Sequence, residues 1–288
     1  MRSLILGGTG LAGQAFVREC GQRNIQTVSV ARSNAQLQCD ISRPENLREL
    51  LNDFSPDMVI NCAAAINLQE CENDPSMARA INALPLGILA NWSIKHHLPF
   101  IHISTDHFFC GDTNKKHPEN AKVSIINEYA YSKYLGEQLA LTSPHALVLR
   151  TNIIGMRGWS DPSFAEWAIA SVTNNSHVTL FNDIWTSSID VGTFSRLALV
   201  LLLDYNKAGL FNLASSQVYS KEQFVLEVAD QLNMTFDNYK IGSGAFLKPK
   251  RANSLGLDVS KVTQIVGDVL PNLHTVVLNL LDEKRKRN

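Results

Sequence analysis

The chain has 288 residues, 45% of them hydrophobic and 18% charged, with a formal net charge of −1. The apolar share excludes a mostly disordered chain, and the near-zero charge excludes a general basic field for nucleic acid or an anionic membrane. At about 150 residues per domain, the length predicts two domains, or one large α/β domain with an appendage.

The expected elements follow in chain order. Ser3 to Leu6 reads as a strand and Leu11 to Cys20 as a helix. Thr27 to Ala31 is a second strand. Pro44 to Phe54 reads as a helix, with Ser42 as its N-cap and Pro44 in its first turn. Met58 to Asn61 is a third strand and Pro75 to His96 one long helix. Phe100 to Ser104, then Tyr129 to Leu141, then Ala146 to Arg150 read as strand, helix and strand. Alternating β and α with mostly apolar strands predicts an α/β fold. Its doubly wound parallel sheet, of Rossmann type, has both faces covered.

After Arg150 the rhythm breaks. Gly155 to Ser163, rich in Gly, Trp, Pro and Asp, reads as a loop over a site. Val178 to Phe181 and Gly209 to Asn212 are short strands, and Ser220 to Leu232 is a helix. Gly242 to Asn253 is a basic loop carrying Lys248, Lys250 and Arg251. Lys284 to Arg287 reads as a solvated, frayed end. Residues 1–150 are thus expected to form the core, and residues 151–288 a small C-terminal α/β substrate cap interleaved with the core sheet.

The five cysteines, Cys20, Cys39, Cys62, Cys71 and Cys110, are odd in number and lack a C-x-x-C pair. They read as small buried hydrophobes in a reducing compartment. The longest apolar run, Leu197 to Leu203, is far shorter than the roughly 20 residues that span a bilayer. Gly7 interrupts the first apolar stretch, so no signal peptide is expected. A cytoplasmic, soluble protein with no membrane or nucleic-acid partner is the expectation.

Four signals carry chemistry. The first is Gly7-Gly-Thr-Gly10-Leu-Ala-Gly13, directly after a strand and opening a helix. Glycines serve where a backbone turns tightly and touches a pyrophosphate, and the helix N-terminus offers N–H groups to phosphates. Gly7, Thr9, Gly10, Leu11, Ala12 and Gly13 are therefore expected to bind a dinucleotide. The second is Arg32 and Ser33 after the second strand, where NAD sites usually place an acid. Arg32 suits a 2′-phosphate, which favours NADP (as NADPH) and leaves NAD as the second candidate. Asp40 and Ile41 follow within reach of an adenine edge, and Asp40 also reads as a helix cap.

The third signal is Tyr129-Ala-Tyr-Ser-Lys133. Residues four apart share a helix face, and a lysine ammonium there favours the tyrosine phenolate. Tyr129 becomes a proton donor to a carbonyl, and Lys133 also reaches a nicotinamide ribose. The fourth is Ser104-Thr105-Asp106-His107 at the end of the fourth strand, where doubly wound sheets bind ligands.

Together with Asn61-Cys-Ala-Ala-Ala65 and Asn82, these motifs resemble the extended short-chain dehydrogenase/reductases. The closer likeness is to the dTDP-4-dehydrorhamnose reductase-like family. Ser-Thr-Asp-His-Phe-Phe-Cys-Gly at 104–111 is similar to that family's Ser-Thr-Asp-Tyr-Val-Phe-x-Gly. Lys250-Arg251-Ala-Asn-Ser254 to Leu257-Asp-Val-Ser-Lys261 resembles its C-terminal segment. The likeness implies hydride transfer from NAD(P)H to the C4 ketone of a nucleotide-linked 6-deoxyhexulose, serving polysaccharide biosynthesis. Tyr129 would protonate the oxygen, Lys133 would tune Tyr129, and Thr105 would hold the sugar. Ser104, Asn82, Ala63, Ala64, Ala65, Asp40 and Ile41 would line the cofactor. Asp106 and His107 would meet the substrate, and Arg251 with Lys248 and Lys250 would meet its diphosphate.

Departures lie on the substrate side. The family's Tyr after Ser-Thr-Asp is His107, and its Arg-Thr-Ser-Trp is Arg150-Thr-Asn-Ile. Its Asp-Gln-x-Gly-x-Pro-Thr appears as Asn182-Asp-Ile-Trp185-Thr-Ser-Ser188. Asn152 and Trp185 become candidate substrate contacts. A glutamate that helps bind magnesium between subunits in some members aligns with Ala15, so no metal is expected. A homodimer is the assembly considered. Two other readings stand beside the reductase. One is a sugar-nucleotide epimerase or dehydratase, although His107 stands where dehydratases carry Glu. The other is a non-catalytic NADP-binding subunit like the regulatory β subunit of methionine adenosyltransferase.

Overall fold

The computed structural model describes residues 1–159 and 161–287. Ser160, inside the expected loop from Gly155 to Ser163, lies outside the described residues. In chain order the first half holds β1 (Arg2–Leu6), α1 (Leu11–Gln22), β2 (Gln26–Ala31), β3 (Leu37–Gln38), α2 (Pro44–Phe54), β4 (Met58–Asn61), α3 (Leu68–Asn73), α4 (Pro75–Asn82), α5 (Leu84–His96), β5 (Phe100–Ile103), α6 (Glu128–Ala140) and β6 (Ala146–Arg150). Then come β7 (Ile153–Ile154), α7 (Phe164–Thr173), β8 (Val178–Phe181), β9 (Trp185–Thr186), β10 (Ile189–Asp190), α8 (Val191–Leu199), β11 (Gly209–Asn212), β12 (Tyr219–Ser220), α9 (Lys221–Gln231), β13 (Tyr239–Gly242), β14 (Ser254–Leu255), α10 (Ser260–Val266) and α11 (Leu273–Arg287).

Seven strands form one sheet in the order β11-β6-β5-β4-β1-β2-β3. The pairs β1/β2, β1/β4, β2/β3, β4/β5 and β5/β6 are all parallel. The order reverses at β1/β4, which is the switch point where doubly wound sheets bind nucleotides. β4 and β6 are buried at every residue, as strands covered on both faces must be.

Two expectations fail locally for identifiable reasons. The long helix from Pro75 to His96 is two helices with another before them. Asp74 caps α4 by accepting from Met77 N–H at 2.9 Å. Pro85 sits in the first turn of α5, and the chain breaks at Ala83 (φ −122°, ψ −56°) because proline has no N–H to continue a helix. Ser42 does not cap α2. Its hydroxyl and N–H both donate to Asp40 Oδ1, at 2.7 and 3.1 Å, and Arg43 takes the N-cap position without a side-chain bond.

The chain divides into two compact units, neither of them continuous in sequence. The first comprises Met1–Thr105, Ile125–Arg150 and Ser195–Phe211. Its core gathers Leu4, Leu6, Val30, Leu47, Val59, Leu89, Phe100 and Val148 around the sheet. The second comprises Asp106–Ser124, Thr151–Phe194 and Asn212–Asn288, and its core packs α7, α9 and α11 through Ile169, Phe224, Val228, Val277 and Leu280. The expected frayed end is instead the last turn of α11, where Arg285 pairs with Asp282 and Arg287 with Glu283. Among the described residues no helix is long and apolar enough to cross a membrane.

Candidate active site

In the first unit, the carboxyl ends of β1, β2, β4 and β5 carry the expected residues. Gly7 adopts φ +76°, and a Cβ there would lie 2.7 Å from the Ala63 nitrogen. A Cβ on Gly13 would run into the Gly7 carbonyl oxygen. The glycine turn thus closes flush against its own strand and the β4 loop. Gly10 is the N-cap of α1, with no side-chain cap and no acid in the first turn. A Cβ on Gly10 would meet only the Gly7 oxygen, at 3.3 Å, so the space over the helix N-terminus is open. The first-turn N–H groups of Leu11, Ala12 and Gly13 have no acceptor within the helix and suit a pyrophosphate. Gln14 fixes Thr9 by donating to its carbonyl at 2.8 Å.

Beyond β2, Arg32 and Ser33 are exposed and Ile41 is buried. Asp40 is occupied by Ser42, whose hydrogen bonds hold its carboxyl below the usual range. Beyond β4, Asn82 braces the alanine loop. Its Oδ1 accepts from Ala65 N–H at 2.8 Å, and its Nδ2 donates to the Ala65 carbonyl and to Ser132 Oγ. Asn82 is 1% exposed and holds Ala65 from both sides, while Ala63 N–H donates to Asn61 Oδ1 at 3.3 Å.

Beyond β5, Ser104 and Thr105 are both buried. Ser104 Oγ donates to Glu137, which also pairs with Arg150. α6 is started by Asn127, whose side chain accepts from Ala130 N–H at 2.8 Å. Tyr129 is half-buried in its first turn, and Lys133 follows one turn later, 3% exposed. Lys133 Nζ donates to the Ile103 carbonyl at 2.6 Å, which ties α6 to the end of β5. Burial lowers its pKa to about 8, opposed by Glu137 and Cys62.

In the second unit a polar chain runs through Asp106. Asn152 Nδ2 donates to Asp106 Oδ2 at 2.9 Å, and Ser188 Oγ donates to Asn152 Oδ1 at 2.9 Å. A cavity of about 350 Å³ lies beside it, lined by His107, Asn152, Lys221 and Arg251 and walled by Phe164, Trp167 and Phe181. Burial, with Lys221 and Arg251 nearby, lowers the His107 pKa to about 4, so the imidazole is neutral. Trp185 is not among the lining residues, and its backbone N–H donates to the Asn253 carbonyl. Neither Lys248 nor Lys250 lines the cavity, although Arg251 on the same loop does. Sequence reasoning missed Lys221 and the aromatic walls. The one available signal was a lysine directly after the Ser220 cap.

Fold and site together define an extended short-chain dehydrogenase/reductase. The chain belongs to the RmlD substrate binding domain family, whose model matches residues 1–286. It is 30% identical over 285 residues to the probable low-salt glycan biosynthesis reductase Agl14 of Haloferax volcanii, covering 95% of each chain. It is 28% identical over 272 residues to methionine adenosyltransferase 2 subunit beta of Mus musculus, covering 91% of this chain and 81% of that one. The crystal structure of dTDP-4-dehydrorhamnose reductase from Bacillus anthracis in complex with NADP superposes with a TM-score of 0.85 at 20% identity. It covers 98% of this chain and 99% of the other.

Proposed function

We propose that this protein is an NADPH-dependent reductase of a nucleotide-activated 4-keto-6-deoxy sugar. The observation that carries the reading is Lys133, a buried ammonium one helical turn after Tyr129 and bonded to the backbone that leads into Thr105. In this reading the first unit holds the dinucleotide and the second the sugar nucleotide. The glycine turn takes the pyrophosphate, Arg32 the 2′-phosphate, and Asn82 shapes the alanine loop. The bound cofactor supplies a hydride to the ketone carbon. Tyr129 gives its phenolic proton to the ketone oxygen, so that C=O becomes CH–OH, and the Lys133 ammonium stabilises the phenolate left behind. The Thr105 hydroxyl orients that oxygen by hydrogen bonding. NAD is the second cofactor candidate, because Arg32 is exposed and the 2′-phosphate contact rests on this one side chain.

The test is NADPH oxidation against a panel of dTDP-, UDP-, GDP- and CDP-linked 4-keto sugars. Turnover with one of them is expected, and Tyr129→Phe is expected to lower kcat by about 100- to 10,000-fold while still binding NADPH. Unchanged turnover in Tyr129→Phe would sink the reading. The likeness to the methionine adenosyltransferase subunit, across 91% of the chain, favours a second reading as a cofactor-binding regulatory subunit. A stoichiometric partner in a pull-down, with no turnover on the panel, would select it.

A further inference from the structure

Lys221 occupies an unusual place in the second unit. It is the first residue of α9, directly after the Ser220 cap, where the positive end of the helix disfavours a cation. Its ammonium sits 4.2 Å over the Phe164 ring, on the wall of the 350 Å³ cavity. Among the described residues it makes no ion pair. Arg251 lines the same cavity and repels it, His107 is neutral there, and Asp106 is the nearby carboxylate that attracts it.

A half-buried ammonium with one attractive carboxylate, a second cation and a helix N-terminus around it is poorly balanced as a structural element. A well-packed apolar residue would serve the fold better. What remains is two cations facing an aromatic-walled space. Phe164, Trp167 and Phe181 offer flat surfaces to a ring, while Lys221 and Arg251 offer charge to an anion next to it.

We infer that Lys221 reads charge in this pocket: its ammonium and the Arg251 guanidinium together take the diphosphate link of the nucleotide-activated substrate. This rests on the reading of the pocket as the sugar-nucleotide site. A dianion between the two cations removes their mutual repulsion and replaces the water that the half-buried Lys221 has lost. Two cations also favour a diphosphate over a monophosphate, and a diphosphate over a neutral nucleoside.

A pH signature follows. Burial lowers the Lys221 pKa to about 8, with Asp106 opposing and Arg251 assisting. Lys248 and Lys250 share the Arg251 loop but do not line the cavity. A nucleoside diphosphate is already fully ionised well above pH 6. Diphosphate affinity is therefore expected to fall as pH rises through about 8, because Lys221 loses its charge there.

Isothermal titration of the full chain with UDP, dTDP and GDP, at about pH 7 and about pH 9, tests this. Lys221→Met is expected to raise Kd roughly 10- to 100-fold for whichever diphosphate the wild type binds, leaving the free nucleoside unaffected. Lys221→Arg, which stays charged, is expected to keep binding and to lose the fall at high pH; its binding also shows that position 221 tolerates change. Wild-type affinity in Lys221→Met, a wild type that binds no nucleoside diphosphate, or wild-type affinity that is flat with pH would each overturn the inference. Titration needs no turnover, so the two readings fail separately. Lys221-dependent binding without NADPH oxidation leaves the anion site standing. NADPH oxidation with an unchanged KM in Lys221→Met leaves the reductase standing.

Discussion

The Arg150 guanidinium meets the Glu137 carboxylate at two points, Nη2 to Oε1 at 2.6 Å and Nε to Oε2 at 2.9 Å. The side chains are 4% and 0% exposed. Ser104 Oγ donates to the same Oε2 at 2.8 Å. Glu137 lies one turn beyond Lys133 on α6, so this pair and the Lys133 bond to Ile103 fasten one helix to the ends of two strands.

Removing one partner of a buried pair leaves the other charge unpaired. Glu137→Ala is expected to destabilise the protein by about 3–5 kcal/mol, measured by urea unfolding. A loss below about 1 kcal/mol would show that water or another acceptor replaces the carboxylate.

Lys133 makes stability depend on pH. Its pKa is lowered to about 8 in the folded protein from 10.5. Between these values the unfolded chain holds a proton that the folded chain has released, so stability rises with pH. The gain is fully present above 10.5 and is lost as pH falls through about 8. It is on the order of 3 kcal/mol. Urea midpoints at a series of pH values across this window should rise for the wild type, and rise by less for Lys133→Met. Equal slopes would remove Lys133 as the cause.

Gly10 separates cofactor binding from folding. Its added Cβ would meet only the Gly7 oxygen, at 3.3 Å, in an allowed backbone conformation (φ −77°). Gly10→Ala is expected to keep its melting temperature within about 2 °C and to weaken NADPH binding at least roughly 10-fold. Fluorescence titration of NADPH reads the second quantity, and unchanged affinity would move the pyrophosphate elsewhere.

Gly136 is the opposite case. Its Cβ would run into the Asn82 carbonyl oxygen, which is backbone at the end of α4. Gly136→Ala is expected to push α6 away from α4 at a cost of about 1–3 kcal/mol. The same shift strains the Asn82 bond to Ser132, so thermal melting and NADPH binding should both deteriorate.

Much of the first unit was legible because its signals are local. A glycine turn between an apolar strand and a helix, and a Pro44 opening a helix with Leu47 and Leu51 inward, need no distant partner to be read. The break at Ala83 was also written locally, in Asp74-Pro75 and Pro85, but the apolar run from Leu86 to Trp92 hid it. Ser42 failed as a cap because its hydroxyl turns back to donate to Asp40, two residues earlier, and the helix starts one residue later, after Arg43. The second unit was harder. Its cavity brings together His107, Asn152, Lys221 and Arg251, residues from four separate stretches of chain, and no spacing rule links them. Trp185 was chosen from a motif position alone, and its side chain is not among those lining the cavity.

β11 stands beside β6 at the rim of the sheet, although about sixty residues of chain intervene between them. The backbone passes from one unit to the other after Thr105, Ser124, Arg150, Phe194 and Phe211. Neither unit is therefore a cassette that recombination could move whole. A fragment ending at Arg150 would bare the hydrogen-bonding edge of β6 and tend to aggregate. With the chain crossing between units five times, no substrate contact of the second unit can be exchanged as a block without cutting strands of the first.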